Sequence, residues 1–209
     1  MIKRTLVSLA AVAVLAAPAA SLAQGMTMPA PNMDPAKISA GHYKLDPTHA
    51  SIVAKVRHMG LANSTFVMKK FDASFDYDPA HPAASKVMAT IDANSIDMGV
   101  PDINARFAKE MLGADKNPTV TFQSTGLTMT SATEGKLAGN LTMEGATKPV
   151  VLNVTFDGNR PKGGMGPERV AFSASGDIKR SDFAPLGPYG AAIGDNVHLI
   201  FDLEFVNAG

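Results

Sequence analysis

At 209 residues, with 19 basic residues, 19 acidic ones and no cysteine, the chain is long enough for one domain with a sizeable core. The balanced charge is no footprint for nucleic acid or for an anionic lipid surface. Without cysteine the chain has no disulfide, no lipoprotein anchor and no thiolate nucleophile or ligand.

Residues 1–23 read as a secretory signal peptide. Lys3 and Arg4 form a basic start, Leu6 to Ala17 an apolar run too short to span a bilayer stably, and Ser21-Leu22-Ala23 a cleavage site before Gln24. No later run is apolar enough for an integral membrane segment, and the 17 basic residues left after cleavage face 19 acidic ones. Residues 24–40 are rich in Met, Pro and Ala without periodicity and read as a flexible leader. Met26, Met28 and Met33 could offer thioether ligands to Cu(I), against the plainer reading of an unstructured tail.

The domain is expected over 41–209. Its first strand contains DPTHASIVAKVRHMG at 46–60, where side chains alternate faces. Ile52, Ala54, Val56 and His58 share an apolar face, and Ser51, Val53, Lys55 and Arg57 share the other. His49 and His58 then point to opposite sides, roughly 30 Å apart in an unbroken strand, so they cannot share a metal ion. Ser64 to Tyr77 continues the alternation as one long strand with Val67, Phe71, Ala73 and Phe75 inward, followed by Val87, Ala89 and Ile91.

Pro101 to Leu112 breaks the rhythm. Pro and Asp at its start, Gly113 after it, and Ile103, Phe107 and Met111 spaced by four predict a short amphipathic helix. Strands then resume with Val120 and Phe122, with Leu137, Gly139, Leu141 and Met143, and with Val150, Leu152, Val154 and Phe156. Val170, Phe172, Ala174, Gly176 and Ile178 follow, and Val197, Leu199, Phe201, Leu203 and Phe205 end the chain opposite His198, Asp202 and Glu204. Turn-forming clusters separate the runs at 78–82, 113–118, 144–149 and 158–167. The fold class is all-β with one short helix: about eight antiparallel strands in an elongated barrel, closed because closure leaves no exposed edge. Small residues among the inward Phe, Leu and Val suit a chain-like ligand, but the pattern alone leaves a packed interior equally open.

Asp46, His49, His58, Asp97, Asp182 and His198 are the candidate acid/base groups, yet no hydrolase, zinc, phosphate-loop or dinucleotide motif accompanies them. Asp46 and Asp182 suit turns, His198 a solvated face, and His58 a hydrogen-bonded barrel end or a polar ligand head. No catalytic residue, metal site or cofactor is expected.

Several short motifs occur in series: Tyr43-Lys44-Leu45-Asp46 with His49, His58-Met59-Gly60, Phe71-Asp72-Ala73-Ser74-Phe75 with Asp78-Pro79, and Ser95-Ile96-Asp97. Asn117-Pro118, Leu141-Thr142-Met143-Glu144-Gly145 with Thr147-Lys148-Pro149, and Arg180-Ser181-Asp182-Phe183 complete it. In this order they resemble the YceI-like polyisoprenoid-binding periplasmic proteins over about Gly41 to Val206. Two positions depart from that pattern: the helix has Asp102 to Phe107 and no His, and Ala54 stands where a large aromatic is common.

The resemblance implies a lipocalin-like barrel holding a long-chain isoprenoid, quinone-like or fatty lipid, with no established catalytic residues. The lumen would be lined by Ile52, Ala54, Val56 and His58, by Phe71, Phe75 and Ala89, and by Phe107 and Met111 from the helix. Phe122, Leu141, Met143, Val154 and Phe156, then Phe172, Ala174, Phe201 and Leu203, complete the lining. The function expected is a periplasmic binding, carrier or sequestering protein. The alternatives are an enzyme acting on a buried hydrophobic substrate and a structural or stress-protective barrel without an obligatory ligand. A homodimer is compatible with the sequence but not demanded by it. An outer-membrane barrel is disfavoured, since three Tyr and no Trp cannot build aromatic girdles. The exported protein should begin near Gln24; N-terminal sequencing checks this, and a mature product that keeps Met1 would refute it.

Overall fold

Closing an alternating sheet separates an apolar inside from a polar outside. A computed structural model describes residues 30–163 and 166–209; the signal-peptide stretch and residues 24–29 of the leader lie outside them. The strands are β1 (Gly41–His58), β2 (Ala62–Met68), β3 (Phe71–Tyr77), β4 (Lys86–Asp92) and β5 (Ile96–Asp97). Helix α1 (Pro101–Leu112) precedes β6 (Thr119–Met129), β7 (Glu134–Met143), β8 (Ala146–Arg160), β9 (Arg169–Lys179) and β10 (Ile193–Asn207). Strands β1, β3, β4, β6, β7, β8, β9 and β10 pair in that order, and β10 returns to pair with β1, so eight antiparallel strands form a closed barrel. Strands β2 and β5 extend one end of it, β2 on the second half of β1 and β5 on β2.

Helix α1 has the bounds its sequence predicts. Pro101 sits in the first turn, and Gly113 ends the helix at φ 57, a left-handed conformation suited to glycine. Phe107, Ala108 and Met111 are its buried face, packed with β2 and β5 residues Phe66 and Ile96 in one core cluster. The β7–β8 turn is tighter than the predicted cluster at 144–149. Glu144 and Gly145 take φ of 52 and 79, a two-residue hairpin whose twist suits antiparallel strands, and β8 resumes at Ala146.

Three expectations are corrected by long-range pairing. The single strand Ser64–Tyr77 is two strands, because the chain turns at Lys69-Lys70. There Lys69 N donates to Ser95 O (3.0 Å), and Lys70 N to the buried Ser95 Oγ (3.0 Å). Strand β1 is not a uniform alternation either. Its ladder shifts register between Leu45 and Ala50, so Tyr43 and Leu45 are buried before the bulge and Ile52 and Val56 after it. From Leu45 to Ala50 the strand advances five residues while β10 advances two, from Phe205 to Leu203, so the side that faces inward changes from odd to even numbers. Asp46 Oδ1 holds this bulge by accepting from Thr48 N (2.9 Å) and Thr48 Oγ1 (2.6 Å).

The third correction concerns the leader, whose described part is docked on the barrel. Asn32 and Asn159 exchange two backbone hydrogen bonds of 2.9 Å, a short 3-10 turn spans Pro35–Lys37, and Ile38 is buried. Gly158, at φ 121, makes this approach feasible, since a Cβ there would lie 2.9 Å from Pro31 Cβ and 3.1 Å from Met33 Sδ. Ile38 joins Tyr43, Phe75, Phe156, Val170 and Phe205 in a second core cluster, with Tyr43 stacked on Phe75 at 4.8 Å. A buried carboxylate ties the segment down: Glu168 accepts from Ser39 N (3.2 Å), Tyr43 Oη (3.0 Å) and Asn159 Nδ2 (3.0 Å).

Burial pushes the Glu168 carboxyl up, but hydrogen bonds from Ser39, Asn159 and Tyr43 outweigh it and hold the group below its ordinary range. Its stabilising contribution is therefore complete above the unfolded value of about 4.3 and is lost as pH falls through the folded one. Glu168→Gln should flatten the acid limb of a urea-midpoint-versus-pH profile. Ile38→Ala should cost about 2–4 kcal/mol in urea unfolding; a change near zero would mean that the segment does not stay docked.

Candidate functional site: an apolar cavity inside the barrel

The inward faces enclose a cavity of about 330 Å³, at the small end of the ~300–1,000 Å³ usual for ligand pockets. Ile52, Ala54 and Val56 of β1, Phe71 and Phe75 of β3, Ala89 of β4 and Met111 of α1 line it. Phe122 of β6, Leu141 and Met143 of β7, Val154 and Phe156 of β8, Phe172 and Ala174 of β9, and Phe201 and Leu203 of β10 complete the predicted part of the wall.

Two predicted residues are elsewhere. His58 is exposed: a second ladder irregularity follows Val56, and the turn at Met59 and Gly60 (φ 51 and 71) carries the strand end into solvent. Phe107 is buried but sits outside the cavity, with Phe66 at 5.6 Å on one side and Tyr189 at 6.3 Å on the other.

The wall also holds residues that periodicity did not single out. Phe66 and Ile96 come from the short extra strands, and Pro35 and Ile38 from the docked leader. Its polar members are few: Arg180 on one side, and Ser85, Thr133 and Glu134 on another. The Ser85 hydroxyl is buried without a hydrogen-bond partner among the described residues. Arg180 lies in the quoted Arg180-Ser181-Asp182-Phe183 motif, the one signal that could have found it.

Small residues play two roles. Ala54, Ala89 and Ala174 face the cavity and leave it open. Gly139 and Gly176 do not line it. A Cβ on Gly139 would fall 2.3 Å from the Phe122 ring, and one on Gly176 would fall 2.8 Å from Leu152 Cδ2. Those glycines seat larger neighbours against the sheet.

None of the candidate acid/base groups lines the cavity. Asp46 accepts from Arg169 (2.6 Å) and lies 3.1 Å from His49 Nδ1, while Arg169 also binds Glu204 (2.5 Å). Ligand atoms of Asp46, His49 and Glu204 lie within 4.8 Å of one another, a spacing that could suit a cation. The Arg169 guanidinium already bonds both carboxylates, and its hydrogen bond, with those from Thr48, holds Asp46 well below the carboxylate range. A metal ion would have to displace a cation already in place. Asp97 accepts from Gly99 N (2.8 Å) and Asn104 Nδ2 (2.7 Å) at the start of α1, and exposed His198 pairs with Asp177 at 2.9 Å. These are turn and surface contacts. Among the described residues no helix is long and apolar enough to cross a membrane.

A YceI-like domain model matches residues 43–205. The UPF0312 protein YE1254 of Yersinia enterocolitica is 36% identical, covering 88% of this chain and 96% of that protein. The crystal structure of Burkholderia cenocepacia BcnA superposes with a TM-score of 0.67 at 26% identity, over 77% of this chain and 98% of that one. A solved polyisoprenoid-binding domain from Saccharophagus degradans, described as implicated in plant cell wall breakdown, shares the fold at TM-score 0.58 and 14% identity, over 81% and 99%.

The two roles of small residues separate experimentally. Gly139→Ala should cost about 1–3 kcal/mol in chemical denaturation because the Phe122 ring must move. Ala174→Val, which adds two carbons toward open space, should change stability much less; equal losses would mean that the cavity is closed in solution.

Proposed function

Since the chain belongs to the YceI-like domain family, we propose that it is a periplasmic carrier or sequestering protein that holds a long-chain isoprenoid or similar amphiphilic lipid in its lumen. The observation that carries this reading is the cavity itself, walled by apolar side chains from all eight barrel strands and capped by α1 and the docked leader. Each ligand methylene taken from water into such a space contributes about 0.8 kcal/mol. A chain of several isoprene units thus binds through its tail alone, offset in part by the cost of ordering it. The description of the Saccharophagus degradans domain as polyisoprenoid-binding suits such a ligand.

Binding is favoured over turnover because the acid/base candidates face outward or cap turns, away from the cavity. The periplasmic setting rests on the basic start, apolar run and Ser21-Leu22-Ala23 of the first residues. Release rather than retention of the lipid would follow if the docked leader opens, since Pro35 and Ile38 form part of the wall.

Mass spectrometry of organic extracts from the purified protein should detect an isoprenoid or related long-chain lipid. Ala174→Phe should weaken titrated C20 isoprenoid about tenfold, the equivalent of displacing roughly two methylenes, while the fold survives. A delipidated parent that binds no long-chain lipid would overturn the proposal.

A further inference from the structure

Among the described residues, the cavity wall carries its one cationic side chain at one end. On β9, Ser173 lies opposite Thr155, which in turn lies opposite Glu134, whereas Arg180 follows the last residue of that strand. The seven steps from residue 173 to residue 180 span roughly 23 Å at ~3.3 Å each. Glu134 thus marks one end of the cavity wall and Arg180 the other, and Arg180 is the cationic side chain of the wall.

Arg180 is also incompletely satisfied. Its Nη1 donates to Ile193 O (3.1 Å) and Gly194 O (3.2 Å), and its other donors find no partner among the described residues. No carboxylate there reaches it within ion-pair distance. Asp195, itself engaged by Ser181 N (2.8 Å) and Oγ (2.7 Å), and Glu144, on the β7–β8 turn, both act on Arg180 electrostatically, but only at longer range. Lys179 adds a further positive charge nearby. A guanidinium carries five donors and no acceptor, and a half-buried cation with no carboxylate in direct contact is costly unless something bonds its remaining donors.

We infer that Arg180 is the head-group site of the lumen, selecting an amphiphile whose anionic end, phosphate or carboxylate, lies near α1 while its apolar tail runs toward Glu134. This deepens the lipid-binding reading and rests on it. Burial holds the Arg180 pKa below its ordinary value and the Glu144 carboxyl above its own, so both charges are poorly solvated at this end of the wall. An anion bonded by two free guanidinium donors also gains from charge-assisted geometry.

The test uses matched C20 probes, geranylgeraniol, geranylgeranyl phosphate and a C20 fatty acid, titrated into the delipidated mature protein at pH 7. The parent should bind the phosphate about tenfold or more tightly than the alcohol. Arg180→Gln should abolish that preference and leave the alcohol within about twofold. Arg180→Lys, which keeps the charge and loses the fork, should fall between. Tightening of the fatty acid as well as the phosphate extends the site to anions in general; tightening of the phosphate alone narrows it to phosphate heads, and both support the inference. Equal affinity for alcohol and anions in the parent would overturn the head-group site and leave the lipid lumen standing. No binding of any probe would remove both. If Arg180→Gln does not fold, Glu144→Gln decides: tighter phosphate binding with unchanged alcohol binding supports the site, and no change overturns it.

Discussion

Pairing of β1 with β10 closes the sheet, and every other feature of the interior follows from that closure. An open sheet of the same strands would bury one face only against a second layer, and the described residues offer one α-helix, of twelve residues. Closed, eight strands enclose a space that side chains can just fill or that can admit one slender ligand. Which of the two occurs is decided by residue size, and Ala54, Ala89 and Ala174 keep the middle of the wall thin.

Closure also sets the cost of the ends. One is capped by α1 through Phe107, Ala108 and Met111, the other by the segment around Ile38, tied to Glu168. The two caps use different physics. The helix cap is hydrophobic and packs by area. The leader cap depends on a buried carboxylate whose partners are all neutral, namely Ser39, Tyr43 and Asn159, and such a carboxylate stays in place only while each hydrogen bond is made. That makes the leader end the more sensitive of the two to a single substitution.

Charge is distributed with the same logic. The Asp46–Arg169–Glu204 group is fully paired on the far side of the wall from the cavity and braces the bulge in β1. Arg180 is the exception, a cation in an apolar wall held by two backbone carbonyls. The two groups thus differ in what they leave over: the Arg169 guanidinium meets two carboxylates, whereas Arg180 keeps donors beside the cavity.

Local rules read from the sequence were enough for the alternating strands, for α1 from Pro101 to its stop at Gly113, and for most of the inward residues, because period, capping and turn chemistry act within a few residues. Only the tertiary structure decided where inward parity changes in β1, since a bulge is defined by what lies opposite it; Tyr43 and Ile52 share an interior although their numbers differ in parity. It also decided that Ser64–Tyr77 splits at Lys69-Lys70, that residues 31–38 dock, and that Gly139 seats a ring rather than lining the lumen. It decided that His58 leaves the interior while Arg180 enters the wall. Each depends on a partner far away in the chain, Ser95, Gly158, Phe122 or Ile193, and no pattern within one strand carries that information.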